Sequence, residues 1–478
     1  MLADAGYDEA GLEDAVLEAG RVTLAEGIAA LPLRPDGDEP LPLLARLFLG
    51  GEAVDARRAL AALAPLSPDD LTDVLIASDG ELRARVKLEP FDGLLVASDP
   101  TYDGPDTVLG VGGITRMLAA LTVRRRGGAA LDLCTGSGAL ALLAAAHAKR
   151  VVGVDLSERA LRLAHLNARL NGIETIDWRR GDLFEPVGGE RFDLVTANPP
   201  FVVSPSRDFV FRDGGFEDDE LSAAVVAGAA AHLQDGGFAH VMCNWTAATD
   251  GPWSTRPRDW VRDTGCDALV LRYQRESAVT YALRWNRTPG RTLAEAATAA
   301  KPWLDYYRER GIESLVTGAI VLRRRSGSNW VHEDELLRPP AAAAGDHVER
   351  LFAGQDALAA LEDEHDLLSL ALAPAPGTMV VERRYPSGEP ERARLSVEEG
   401  LPLSGRIPTA CVPVISALDG QRPLCEAIDI AARATSRSPE ELTRDCLPAL
   451  TDLVARGLLV TTADGSRSRG SAVRLTTA

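Results

Sequence analysis

Apolar positions along this chain change their spacing several times, and each change predicts a different kind of structure. Over residues 1–80 they recur at three- and four-residue steps, through 12–22 and 41–49, which is the spacing of one helix face. The Pro-rich stretch 31–42 breaks that pattern. Ser67-Pro68-Asp69-Asp70 has the hydroxyl, proline and acids of a helix start. From Glu81 the period becomes two. Leu82, Ala84, Val86 and Leu88 alternate with Arg83, Arg85 and Lys87, which predicts a strand, and a second strand is expected at 93–98. A loop rich in Gly, Asp and Pro (99–113) then leads into a helix ending at 124–126.

From Gly127 to about Arg325, short apolar runs alternate with helical stretches. Strands are expected at 130–134, 151–155, 192–197, 237–245, 267–275 and 314–323, with helices at 138–148, 158–170, 219–233 and 292–310. Such alternation predicts an α/β fold, a doubly wound sheet with helices on both faces. Residues 339–345 (PPAAAAG) read as a linker. Beyond them come a strand pair around 378–384 and 392–396, then helical stretches at 411–418, 423–434 and 440–456, and a strand at 458–460. Helix–helix–helix–strand at that spacing resembles a winged-helix module. The expected organisation is a helical N-terminal domain (1–80) and a β-containing connector with a substrate or cofactor loop (81–127). An α/β domain (128–330), a linker (331–345) and a small α+β, winged-helix-like C-terminal domain (346–478) complete it.

Composition narrows the function. Hydrophobic residues at 46% and charged residues at 25% describe a folded globular chain of several domains. Its apolar runs, such as 223–233, fall short of the ~20 residues a membrane span needs. The acidic, amphipathic N-terminus lacks the basic start and apolar centre of a signal peptide. No membrane partner and a cytoplasmic location are expected. The cysteines (Cys134, Cys243, Cys266, Cys411, Cys425, Cys446) are scattered without a C-x-x-C pair, so neither structural zinc nor a disulfide framework is expected. A net charge of −19 repels polyanions and draws in basic protein partners. Local basic runs at 124–126 and 323–325, and the group Arg383, Arg384, Arg392 and Arg394, read as solvated faces or strand ends. They leave a local nucleic-acid patch open.

Candidate chemistry begins at Leu131-Asp132-Leu133-Cys134-Thr135-Gly136-Ser137-Gly138, where a strand runs into a Gly-rich turn that opens a helix. Glycine there lets the backbone turn tightly and approach a ligand. Gly136-x-Gly138-x-x-Ala141 by itself also fits a dinucleotide fingerprint. Val151-Val152-Gly153-Val154-Asp155-Leu156 ends the next strand with an acid suited to the hydroxyls of an adenosine ribose. Gly181-Asp182-Leu183-Phe184 supplies another acid where an adenine amino group could be held. Asp132, just before the turn, places a carboxylate near the ligand's ammonium end. Three acids disfavour a pyrophosphate, whereas a ligand with sulfonium and ammonium groups suits them.

As a set, these motifs resemble the successive cofactor motifs of the class I S-adenosylmethionine-dependent methyltransferases. The resemblance implies a seven-stranded Rossmann-like sheet and S-adenosyl-L-methionine bound by Asp132, Thr135, Gly136, Gly138, Asp155, Leu156, Asp182 and Leu183.

The next strand, 192–197, stops at Asn198-Pro199-Pro200-Phe201. Two prolines remove backbone donors and fix φ, so the turn is stiff and its carbonyls are free to accept. Asn198 adds a side-chain carbonyl and Phe201 an aromatic face, together a cradle for a planar –NH2 group. This is similar to the signature of methyltransferases acting on amide or exocyclic amino nitrogens. They include the HemK-type glutamine methyltransferases, the adenine-N6 enzymes and the guanine-N2 enzymes of the methyltransferase small domain group. The resemblance covers about residues 128–245. It implies that Asn198 and the Pro199 carbonyl grip the amino group in the stiff Pro199-Pro200 turn, and that Phe201 positions the substrate. Attack at the sulfonium methyl needs orientation rather than a strong base, so no catalytic histidine is assigned.

Residues 201–216 occupy the place of a lid or substrate loop, with Arg207 and Arg212 as candidate contacts. Trp245, beside Asn244, reads as pocket wall or as core. The loop 102–113 is expected over the methionine end. For the acceptor, the first reading is a protein glutamine in a translation factor or ribosomal protein. RNA or DNA amino-methylation is the second, and a small-molecule or peptide natural product the third. Phe201 stands where the glutamine enzymes usually have Tyr.

Overall fold

The computed structural model describes residues 1–18, 40–72, 74–101, 104–287, 291–340, 344–384, 390–397, 400–461 and 474–477. Most of the expected break at 31–42, and the end of the helical stretch 12–22, lie outside the described residues. Two compact units are present. The first comprises 1–119, 125–270 and 274–332, and the second 120–124, 271–273 and 333–478.

The first unit begins with helices α1 (Glu9–Glu18), α2 (Pro40–Phe48) and α3 (Ala56–Ala62). Tyr7, Leu44, Leu47, Phe48 and Leu63 form their buried core. The stretch is mixed rather than purely helical. Strands β1 (Val54–Asp55), β2 (Leu75–Ser78) and β3 (Glu81–Ala84) make an antiparallel sheet in the order β1-β3-β2. β1 is too short to leave a two-residue period, and three of the four residues of β2 face solvent. β4 (Lys87–Phe91) and β5 (Leu94–Ser98) form a hairpin. Asp92 and Gly93 turn it with φ of 48° and 79°, the pair of left-handed residues that matches strand twist.

Helix α4 (Gly113–Leu121) precedes the central sheet. Its strands are β6 (Ala129–Leu133), β7 (Arg150–Asp155), β8 (Ile176–Arg180), β9 (Phe192–Ala197), β10 (Leu233–Ala247), β11 (Cys266–Ser277), β12 (Ser314–Arg324) and β13 (Val331–Glu335). They lie in the order β13-β11-β12-β10-β9-β6-β7-β8. β8, β7, β6, β9 and β10 run parallel, and β12 is antiparallel to β10. Helices α5 (Ala139–Ala145), α6 (Glu158–Leu170) and α7 (Glu220–Ala231) connect them. The doubly wound α/β sheet is as expected, with eight strands in place of seven. Both strands missing from the sequence reading, β8 and β13, lie at sheet edges. Their polar sequences, IDWRR and VHEDE, carry little of the apolar signal of an inner strand. β13 falls where the linker was expected to start.

Sequence order reverses between β6 and β9, so the crevice of the sheet opens at their carboxyl ends. Register brings Leu133 level with Val154 on one side and Ala197 on the other. Cys134, Asp155 and Asn198 therefore emerge at one edge. Asn167 on α6 ties this layer to the hairpin: its Oδ1 accepts from Ala97 N at 2.7 Å and its Nδ2 donates to Ala97 O at 2.9 Å. Helices α8 (Thr255–Val261), α9 (Ala278–Asn286), α10 (Leu293–Ala299) and α11 (Lys301–Glu309) complete the unit.

In the second unit, α12 (Ala344–Ala359) is followed by β14 (Leu372–Pro374), β15 (Thr378–Arg384), β16 (Pro390–Val397) and β17 (Ser404–Ile407). Helices α13 (Cys411–Ala417), α14 (Leu424–Thr435) and α15 (Pro439–Ala455) follow, then β18 (Leu459–Thr461) and β19 (Arg474–Thr477). One sheet runs β17-β16-β15-β19, while β18 pairs back onto β14. The three helices form where their periodicity places them, around Leu395, Ile415, Leu424, Ile428 and Leu450. Among the described residues, no helix is long and apolar enough to cross a membrane.

Candidate active site

A cavity of about 450 Å³ lies at the crevice of the sheet. Its floor is the turn after β6, in which Cys134, Gly136 and Gly138 take φ of 56°, 55° and 85°. The two glycines answer different needs. A Cβ on Gly138 would meet Trp178 at 2.9 Å and Ala164 at 3.0 Å, so this glycine lets α5 pack. A Cβ on Gly136 would meet nothing within 4 Å, because that side of the backbone faces the open cavity. Cys134 adopts a left-handed conformation that a side chain disfavours, a strain of the kind found at ligand sites. Burial pushes its thiol up, which makes it a poor nucleophile.

Asp132 lies beneath this turn rather than in the cavity lining. One carboxylate oxygen accepts from the Thr135 hydroxyl at 2.5 Å and from Ala141 N at 3.2 Å, and the other accepts from the Thr196 hydroxyl at 2.8 Å. Desolvation pushes its pKa up to about 6, against the pull of those three donors. The carboxylate expected at a ligand's ammonium end is thus spent on holding the turn, and Thr135 is what it presents to the cavity.

Asp155, at the end of β7, lines the cavity and also braces it. Its Oδ2 accepts from Gly136 N and its Oδ1 from Ser157 N, both at 2.8 Å. Desolvation raises its pKa. Beside it Leu156 is 55% exposed, an apolar surface left uncovered. Asp182 and Leu183 follow β8 along the same wall. The charged lining is Asp106, Asp155, Asp182, Asp213 and Arg212, and the guanidinium is ion-paired to Asp213 at 2.8 Å. A lining of this sign fits a cationic, phosphate-free ligand and not a dinucleotide.

Asn198 follows β9 at the other end. Its Nδ2 reaches Thr115 Oγ1 at 3.4 Å, which leaves Oδ1 without a donor among the described residues. The Pro199 carbonyl is not wholly free. It accepts from Phe201 N at 2.8 Å in a three-residue turn, with one lone pair remaining. Phe201 packs on the cluster of Val202, Val203, Tyr281, Trp303 and Tyr307. Above, Val210 N donates to Pro105 O at 2.9 Å, joining the loop after Phe201 to the loop before α4. Both loops line the cavity.

The remaining candidates separate clearly. Arg212 lines the cavity, while Arg207 is exposed and does not. Trp245 is fully buried, its indole N–H donating to Trp253 O at 2.5 Å, so it is core. Asn244 is buried against the Tyr281 hydroxyl. Sequence reasoning missed Thr115 and Asp213. The only signal for Thr115 was its place after Gly112-Gly113, and Asp213 carried none. Among the described residues, no group of His, Cys, Asp or Glu is arranged to hold a metal ion.

The family model of the methyltransferase small domain matches residues 112–247, the segment that builds this cavity. The chain carries a class I methyltransferase domain. It is 40% identical over 125 residues to the ribosomal protein uL3 glutamine methyltransferase of Bradyrhizobium diazoefficiens, spanning 23% of this chain and 38% of that one. A release factor glutamine methyltransferase of Xylella fastidiosa is 36% identical over 126 residues, 24% of this chain and 46% of its own. That of Geobacter sulfurreducens is 31% identical over 195 residues, 36% of this chain and 66% of its own. The chain thus spans less than half the length of the first two relatives. The family whose model matches implies S-adenosylmethionine as the methyl donor of the methyltransferase domain.

Proposed function

We propose that the chain methylates the side-chain amide nitrogen of a protein glutamine, with S-adenosylmethionine as methyl donor. The observation that carries this reading is the state of Asn198. Thr115 takes its amide N–H, so its Oδ1 is held as an unspent acceptor over the cavity, next to the remaining lone pair of Pro199 O. Two acceptors match the two N–H bonds of a planar amide.

The methyl donor suits the opposite wall. Asp155 and Leu156 offer a carboxylate and an apolar face to an adenosine, Asp182 and Leu183 frame the base, and Gly136 leaves room for close approach. Asp132 acts from below through the Thr135 hydroxyl and the Ala141 amide, which it holds in place at the turn. Bound there, S-adenosylmethionine supplies a methyl group activated by its sulfonium. The protein's part is orientation. An amide nitrogen is a weak nucleophile because its lone pair is delocalised. Acceptors that draw its N–H bonds out of plane localise that pair, and Phe201 holds the group in place. The proton lost from nitrogen leaves after attack, so no base is needed beforehand.

The relatives' names point to ribosomal protein uL3 and release factors as acceptors of those enzymes. A basic, cytoplasmic translation protein also suits a chain of charge −19. The test is transfer of labelled methyl into a lysate of a deletion strain, separated into protein, RNA and small molecules, with Asn198→Ala alongside. Label in protein glutamine that disappears with Asn198→Ala supports the reading. Label in RNA or small molecules refutes it.

A further inference from the structure

Arg212 is held by every edge of its guanidinium but one. Nε donates to Asp213 Oδ1 at 2.8 Å, and Nη2 donates to Asp213 Oδ2 at 2.9 Å and to the Ser206 hydroxyl at 2.9 Å. The central carbon of the guanidinium lies over the Phe209 ring, 4.7 Å from the ring centre, and over that of Trp303, at 5.5 Å. Asp213 is itself clamped by Ser204 Oγ and the amides of Asp208 and Phe209. Nη1 has no acceptor among the described residues, and Arg212 lines the cavity. A charged donor with unspent N–H groups in such a cradle is prepared for a ligand acceptor.

The backbone sets where that donor lies. Phe201 and Asp213 form an antiparallel bridge, and Val202 N donates to Arg212 O at 3.3 Å. Arg212 is therefore tied to the Asn198–Phe201 turn. Its charge is already matched by a buried carboxylate, since Asp213 is 1% exposed. A phosphate arriving there would meet Asp213 as well as Arg212. A neutral carbonyl oxygen gains the hydrogen bond without adding charge.

We propose that Arg212 Nη1 is a specificity-determining donor that receives the carbonyl oxygen of the carboxamide whose nitrogen is methylated, an inference that rests on the glutamine reading. The two ends of the acceptor are then read at once. Asn198 and Pro199 accept from its NH2, and Arg212 donates to its C=O. An amine with no adjacent carbonyl fills only half the site.

The test uses the full chain, labelled S-adenosylmethionine and a glutamine peptide taken from the protein that the wild type labels. Arg212→Lys keeps a cation for Asp213 but lacks the fork. It is expected to lower kcat/KM for the peptide about 10- to 100-fold, with cofactor affinity unchanged and a cooperative thermal transition showing that the chain is still folded. A kcat/KM within about twofold of wild type overturns the inference and leaves the glutamine reading standing. If Arg212→Lys loses its fold, Arg212→Ala with added guanidinium ion decides. Recovery of transfer supports the donor role, and absence of recovery overturns it. A wild type that labels no glutamine overturns both readings together.

Discussion

The two turn glycines permit a paired experiment in which each substitution controls for the other. In Gly138→Ala the backbone must hold an alanine at φ 85° while its methyl meets Trp178 and the Cβ of Ala164, with the Ala164 Cα at 3.3 Å. A left-handed alanine costs about 1–2 kcal/mol, and forcing a methyl into packed atoms about 1–3 kcal/mol more. Neither neighbour yields cheaply, because Ala164 sits on α6 and the Trp178 ring packs against His165, tilted by 57° with centroids 5.8 Å apart. The expected loss is about 2–5 kcal/mol in unfolding free energy, read by urea denaturation. Gly136→Ala bears only the backbone cost of about 1–2 kcal/mol, since its methyl meets nothing. That methyl instead occupies cavity space, so calorimetric titration should show S-adenosylmethionine binding weakened at least about tenfold, or about 1.4 kcal/mol. Equal stability losses in the two variants, or Gly136→Ala binding the cofactor like wild type, would refute the assignment of one glycine to packing and the other to the ligand.

Thr115→Val removes the hydroxyl that orients Asn198. Steady-state kinetics should show kcat/KM falling about 5- to 10-fold with cofactor affinity intact; no change would mean that Asn198 orients itself. Asp155→Ala takes the acceptor from Gly136 N and Ser157 N as well as from the cofactor wall, so the cofactor dissociation constant should rise about 10- to 100-fold in the same calorimetric titration. His347 bears on the second unit. It is buried and neutral, with Nδ1 accepting from Leu401 N at 3.1 Å and Nε2 bound to Arg456 O at 2.8 Å, and desolvation lowers its pKa to about 4. A depressed histidine is protonated more readily in the unfolded chain. Stability of this unit should therefore hold above about pH 6.5 and decline as pH falls toward about 4, by about 3 kcal/mol in all. His347→Gln should flatten that slope in chemical denaturation across pH, and an unchanged slope would assign it to other groups.

The architecture was legible wherever inner strands alternate with helices, because a strand buried on both faces must be apolar along its length. It was illegible at β8 and β13, whose edge positions relax that demand. The cofactor motifs and Asn198-Pro199-Pro200-Phe201 were visible because turn chemistry restricts residue type locally. Asp132 shows the limit of such reading. The motif announces an acid at that position, but its environment depends on Thr196, which lies on a neighbouring strand. Only register across β6 and β9 reveals that both its oxygens are occupied. Thr115 was hidden for the same reason, since it reaches Asn198 across a separation of 83 residues. Arg212 was visible as a basic residue in a loop beside Phe209, but the second aromatic ring over it, Trp303, comes from α11 far along the chain.

Around the mouth of the cavity, Leu109, Leu156, Val210 and Phe216 are left between 36% and 55% exposed. Apolar groups in water raise heat capacity and adhere to one another, so the ligand-free chain bears a small adhesive ring at the place where it must remain open. Covering that ring with a nucleoside should give binding a negative heat-capacity change. It also makes the metabolite a folding aid, since a ligand at a hundred times its dissociation constant adds about 2.7 kcal/mol to the folded state. A cell depleted of methyl donor would then lose the enzyme as well as its substrate, through aggregation of the empty form.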